Sequence, residues 1–204
     1  MLFSEDIIKG SDQFYFNLYE PEDSKIILGR SRTPAGDVYE EICKDDNVSV
    51  MKRISGGGTV LLAPGMFVWE LLIPTKEQLL NQNKWFKVFS SWLINILTES
   101  GVKSAEMKGT SDITINNRKI CGTSLYIGKN RVLYHGTLLL DIDIKLFDKY
   151  LRYPDIVPDY RNGRIHSEFV TTLKDQNLET DREKLRLLFH TNPFPKEEDY
   201  YRLV

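Results

Sequence analysis

The sequence predicts an α+β fold, a mixed and largely antiparallel sheet flanked by helices, on three observations. Strand-like apolar runs follow one another with few helical segments between them, an order that favours antiparallel or mixed pairing over a doubly wound sheet. Tight-turn signals at Asn116-Asn117 and Gly128-Lys129-Asn130 cut residues 112–143 into consecutive short segments, which predicts an antiparallel meander. A long amphipathic segment between the two sets of strands supplies a helix to cover the sheet.

Taken in order, "KIILG" (25–29) ends on a glycine and "VSVMKR" (48–53) alternates. "TVLLAPGMFVWELLIP" (59–74) reads as two strands broken at Pro64-Gly65. Thr75 and Gln78 have capping-box spacing for the helix that follows, in which Leu79, Phe86, Phe89, Leu93 and Leu97 recur on one face until Gly101 stops it. After the meander, a shorter helix is predicted around 146–151. Another is opened by Thr180, with Glu183 three residues on, and closes before Pro193.

With 204 residues, 41% of them hydrophobic, the chain can bury one sizeable core, which predicts a single domain over 1–204. Lysine and arginine number 27 against 29 acidic residues, so no global field recruits nucleic acid or an anionic membrane. No window approaches the roughly 18 apolar residues of a membrane span, and no basic leader precedes an apolar stretch; a cytoplasmic location is expected. Cys43 and Cys121 have neither metal-ligand spacing nor a neighbouring Cys/His cluster, which argues against a zinc site or a disulfide framework.

The first functional signal is "MKRISGGGTV" (51–60). Consecutive residues without Cβ can reach positive φ and let a ligand approach the main chain, so several N–H groups can converge on one anion. Arg53 beside them could offer a forked, permanently charged donor to a phosphate. A plain turn between strands would use the same residues, and the spacing matches neither the nucleotide P-loop nor the dinucleotide fingerprint, because Thr59 and Val60 follow Gly58.

A second stretch, "KGTSDITINNRKICGTSLYIGKNRVLYHGTLLLDID" (108–143), combines Asp112 in a strand, Lys119 after a turn, Gly122 three residues later and His135-Gly136-Thr137 opening an apolar run. Together with the glycine loop it resembles the lipoate-protein ligase and octanoyltransferase family, within the superfamily of biotin/lipoate ligase catalytic domains. An RxSGGG loop, a lysine segment and an HGTLL strand stand in the same order at similar separations. The resemblance covers roughly residues 25–151 and extends loosely to "PDYRNGRIHSEFVTTL" (158–173). It implies a catalytic domain like that of class II synthetases and biotin ligases. It further implies ATP, Mg2+ and lipoate as ligands, and a lipoyl carrier domain or H-protein as acceptor.

By its place in the motif, the resemblance makes Lys119 the catalytic cation, stabilising charge as an acyl-adenylate forms and is consumed. It assigns substrate and nucleotide binding to Arg53, Ser55, Gly56, Gly57, Gly58, Thr59, Asp112, Gly122, Thr123, His135, Gly136 and Thr137, with Asp112 also a candidate for Mg2+. The family's usual Asn-Asp pair is here Ser111-Asp112, and the polar pair after the glycine loop is replaced by an apolar stretch with Leu62, Ala63, Pro64 and Gly65. The chain ends at Val204, before the accessory C-terminal domain of some ligases, so a separate accessory subunit is expected. Two alternatives stay open. One is an ATP-independent octanoyl or lipoyl transferase with Cys121 as nucleophile, since two residues along an extended strand place it on the face of Lys119. The other is a non-catalytic module that binds acyl-AMP or a partner.

Overall fold

The computed structural model describes residues 13–76, 78–178 and 181–202. Among the described residues, nine strands form two sheets: β1 (Tyr15–Tyr19), β2 (Lys25–Leu28), β3 (Ser49–Lys52), β4 (Val60–Leu62), β5 (Met66–Pro74), β6 (Glu106–Lys108), β7 (Asp112–Ile115), β8 (Arg118–Ile127) and β9 (Arg131–Leu139). The larger sheet has the order β1-β5-β9-β8-β7-β6 with every neighbouring pair antiparallel. The smaller has the order β3-β2-β4, parallel between β2 and β3 and antiparallel between β2 and β4. The α+β expectation and the meander β7-β8-β9 are both realised. Asn116 and Asn117 take φ of 49° and 61° at the β7/β8 hairpin, the left-handed pair that a two-residue turn of this hand requires.

The helices are α1 (Pro34–Asp37), α2 (Glu40–Asp45), α3 (Gln82–Ser100), α4 (Lys145–Tyr150), α5 (His166–Phe169), α6 (Arg182–Thr191) and α7 (Glu197–Arg202). Those absent from the sequence reading, α1, α2, α5 and α7, have four to six residues, too few to show a helical period. The long helix does not begin where Thr75 and Gln78 pointed. Thr75 donates its N–H to the carbonyl of Asn130, so it still belongs to the sheet edge, and Asn81 caps the helix by accepting from the Lys84 N–H. Leu79 is buried ahead of the helix, its carbonyl accepting from Trp85 Nε1. Gly101 ends the helix at φ 109°, as expected. Thr180 lies outside the described residues; Asp181 caps α6, which closes before Pro193.

Strand β5 explains why residues 66–73 read as an apolar run interrupted only at Glu70: both faces are covered. Phe67, Trp69 and Leu71 pack with Tyr134, Phe89 and Phe189 beneath α3 and α6. Met66 and Val68 face the other way, toward Ile26, Leu61, Leu139 and Phe147 from the small sheet, β9 and α4. Each such side chain contributes about 1.5–3 kcal/mol of burial, so packing on β5 outweighs the few tenths that set helix ends by propensity. The second face is incompletely filled, and the gap is where the sequence motifs converge.

Candidate active site

A cavity of about 650 Å³ lies between the small sheet and the meander, with the glycine loop on one side, Lys119 and Asp112 on another, and residues 151–170 across it. Thr59, Gly122, Thr123, His135, Gly136 and Thr137 all border it, as do Arg53, Gly57 and Gly58. Ser55 and Gly56 stand behind this lining and support it.

The loop leaves β3 tied to the end of β2 and the turn after it, by Arg53 N–H to the carbonyl of Leu28 and Arg30 N–H to the carbonyl of Ser55. Arg53 is 8% exposed, and its guanidinium is spent on the loop rather than held open as a fork for phosphate. Nη2 donates to the carbonyls of Gly56 (2.7 Å) and Gly58 (2.8 Å), Nη1 to Ile27, and Nε to Ser55 Oγ. Loop carbonyls had to find donors once the glycines turned them inward, and the neighbouring arginine satisfies them. Burial pushes its pKa down to about 10, so it remains a cation at neutral pH. Gly57 sits at φ +88°, as expected of a residue in this loop that must be glycine.

Ser55 Oγ lies 2.6 Å from His135 Nε2. Because Arg53 can only donate to Ser55, the serine hydroxyl keeps its own proton to donate onward to Nε2, an arrangement that suits the tautomer with the histidine proton on Nδ1. Burial, reinforced by the Arg53 charge, pushes the His135 pKa down to about 3. His135 therefore ties β9 to the loop as a neutral ring. A folded-state pKa below the ordinary value of about 6.5 means that the unfolded chain binds the proton first. Stability from this group is full above pH 6.5 and is lost as pH falls toward 3, at up to about 1.4 kcal/mol per pH unit. Denaturant titrations from pH 7 to 4 should show a shallower pH dependence in His135→Gln than in the wild type.

Lys119 opens β8 beside an irregularity. Thr114 pairs with Lys119 and Ile113 with Cys121, so Ile120 is an extra, bulged residue. The bulge undoes the premise that Lys119 and Cys121 share a face: Ile120 and Cys121 both join the main core, while the Lys119 side chain, 27% exposed, lies on the cavity. Its Nζ is 2.7 Å from Asp112 Oδ1, and Tyr160 donates its hydroxyl to Asp112 Oδ2 at 2.7 Å. A Cβ on Gly122 would come within 2.9 Å of Lys119 Nζ, so the glycine leaves the space the ammonium occupies. Thr123 holds the preceding turn by donating to the carbonyl of Ser111. A Cβ on Gly136 would lie 2.5 Å from the Trp69 ring, so that glycine serves packing. The segment 158–173 pairs onto the start of β8, with Thr171 N–H donating to the Lys119 carbonyl and Arg118 Nη2 to the carbonyls of Ser167 and Val170.

Cys121 borders the cavity yet is 0% exposed, and burial pushes its thiol well above the ordinary range. Both cysteines are free and buried. Cys121→Ala should keep turnover within about threefold of wild type, because a neutral buried thiol is a small apolar filler. An acyl adduct mapped to Cys121 would contradict this.

Several cavity residues escaped the sequence reading. Arg32 grips Asp37 through Nε (2.7 Å) and Nη2 (2.5 Å), and Nη2 also reaches Asp155 at 2.7 Å; Thr59 Oγ1 donates to Asp37 as well. Burial pushes the Asp37 carboxyl up, but these donors outweigh it and hold its pKa below the usual value. Phe147 and Leu151, and farther along Phe169, complete the wall from segments 119 to 141 residues beyond the end of β2, and Tyr160 supports it through Asp112. Only the quoted "PDYRNGRIHSEF" carried a hint of the last two.

Among the described residues no group of three His, Cys, Asp or Glu side chains could hold a metal ion, and both Asp112 oxygens are engaged. These residues do not fit a protein-held magnesium ion. No described helix is long and apolar enough to cross a membrane.

Residues 2–189 match the family described as the lipoyl protein ligase A/B catalytic domain. A probable lipoate-protein ligase A of Mycoplasma genitalium is 32% identical over 126 residues, 62% of this chain and 37% of that protein. The chain thus aligns with roughly a third of the length of the curated relatives it resembles. Among solved structures, a bipartite lipoate protein ligase from Thermoplasma acidophilum, studied with its E2 lipoyl domain, superposes with a TM-score of 0.76 at 18% identity, over 96% of this chain and 79% of that one. An ATP-bound lipoate-protein ligase A gives 0.76 at 18% identity, over 98% and 84%. These likenesses establish the fold, and with the sequence match over residues 2–189 the conclusion is that the chain belongs to the lipoyl protein ligase A/B catalytic domain family.

Proposed function

We propose that the chain activates lipoate or octanoate as acyl-AMP and transfers the acyl group to a lysine of a lipoyl carrier domain or H-protein in the cytoplasm. The observation that carries this reading is the Lys119 ammonium held 2.7 Å from Asp112 in a cavity that joins apolar walls to the glycine loop. Val60, Leu62, Val68, Leu139 and Phe147 offer an apolar lining for an acyl chain. In the first step a carboxylate oxygen of the acid attacks the α-phosphorus of ATP and pyrophosphate leaves. In the second, the acceptor amine attacks the acyl carbonyl, AMP leaves, and the amide nitrogen gives up a proton. Charge concentrates between carbonyl and α-phosphate in both steps, and Lys119 is placed to stabilise it there.

Loop N–H groups around Gly57 and Gly58, with Thr59, are assigned to the adenylate, and Arg53, Ser55, Gly56 and His135 to holding them in place. Any magnesium would arrive on the nucleotide phosphates. The domain reading remains that residues 1–204 act as one catalytic domain, assisted by a separate accessory subunit; the bipartite Thermoplasma ligase and its E2 lipoyl domain support both partner assignments. The ATP-bound relative supports ATP as the activator. Purified protein given ATP, Mg2+ and lipoate or octanoate should release AMP and form acyl-AMP. Transfer from an octanoyl carrier to a lipoyl domain without ATP would overturn the reading in favour of a transferase.

A further inference from the structure

We propose that Tyr160 is a positioning residue for the Lys119–Asp112 pair. The inference rests on the ligase reading and adds to it a residue 48 positions away from Asp112 in the chain. The Asp112 carboxylate has two oxygens: Oδ1 faces Lys119 Nζ at 2.7 Å, and Oδ2 accepts from the Tyr160 hydroxyl at 2.7 Å. A carboxylate tied at one oxygen cannot swing about its terminal torsion, so the other oxygen, and the ammonium it holds, stay at one point of the cavity. Burial, and then the Asp112 charge, push the Tyr160 phenol well above its ordinary range, so at neutral pH the hydroxyl keeps the proton it donates to the carboxylate.

Tyr160 is itself fixed from three sides. It lies in the short 3-10 turn Asp159–Arg161, whose carbonyls at Tyr160 and Arg161 accept from Arg164 Nη2 (2.7 Å) and Nε (3.0 Å). Its ring rests against Phe169 with centroids 5.1 Å apart. Gly109, at φ +59°, brings the turn before β7 so close that an added Cβ would stand 3.6 Å from the ring. A side chain held this firmly, donating to a charged acceptor, provides the kind of supporting contact that sets a reacting group to within a fraction of an ångström. Removing the hydroxyl leaves the apolar walls intact, so the loss should fall on the chemical step and not on ligand binding.

Tyr160→Phe keeps the ring against Phe169 and deletes only the donor. The expected result is a kcat for acyl-AMP formation about ten- to a hundredfold lower, with the Kd for a non-reactive acyl-adenylate analogue within about threefold of wild type. In an Asp112→Asn background the same change should cost less than about twofold, because its route of action has already been cut. A readout independent of turnover is the side-chain ammonium resonance of Lys119 in lysine labelled with nitrogen-15, which should move or broaden in Tyr160→Phe. If the wild type neither makes acyl-AMP nor transfers from preformed lipoyl-adenylate, the ligase reading falls while this signal still decides the positioning role. Wild-type kcat in Tyr160→Phe, losses that multiply with Asp112→Asn, or an unmoved Lys119 signal would overturn the proposal.

Discussion

Lys119→Ala is expected to reduce acyl-AMP formation by about 10³-fold, since the ammonium paired with Asp112 is the cation proposed to stabilise the developing charge. The change should cost little stability. Lys119 is 27% and Asp112 13% exposed at a cavity wall, so solvent screens the pair and the loss should be near 1 kcal/mol, with Tyr160 still serving the carboxylate. Lys119→Arg should rescue poorly, because a planar fork cannot occupy the space that Gly122 leaves for an ammonium. Steady-state rates beside thermal melts check both parts; a variant that melts like wild type and turns over like wild type would remove Lys119 from the mechanism.

The second large effect is expected at Gly29. Its Cβ would stand 2.1 Å from the carbonyl oxygen of Gly57, a main-chain atom that cannot step aside without lifting the loop. Gly29→Ala should therefore destabilise the protein by at least about 2 kcal/mol and abolish acyl-adenylate binding. Gly56→Ala and Gly58→Ala meet nothing within 4 Å and should melt close to wild type. Equal melting of all three variants would mean that the loop is not seated on Gly29.

The glycine loop, the lysine and the HGT strand were legible because each is a local pattern, and the sheet was legible because turns and apolar runs mark strand ends. What the sequence hid was non-local. Arg53 reads as a free cation until the carbonyls that consume it are seen to turn inward. Cys121 reads as a neighbour of Lys119 until the bulge at Ile120 sends it to the core. Gly29 reads as a strand end, and only the approach of Gly57 from 28 residues away shows why no side chain fits. Arg32 and Asp155 reach the cavity, and Tyr160 reaches Asp112, from connecting segments where no periodicity signals a contact. The Thr75/Gln78 box failed for the opposite reason: a correct local signal lost to a sheet hydrogen bond with Asn130.

The most direct test supplies the chain with preformed lipoyl-adenylate and a lipoyl domain and follows the mass of the acceptor, which separates the chemistry at Lys119 from any need for an accessory subunit in adenylation. The expected result is one lipoyl group on one acceptor lysine with release of AMP, fast with the wild type and near the uncatalysed rate with Lys119→Ala. An acceptor modified no faster with the wild type than without protein would contradict the account.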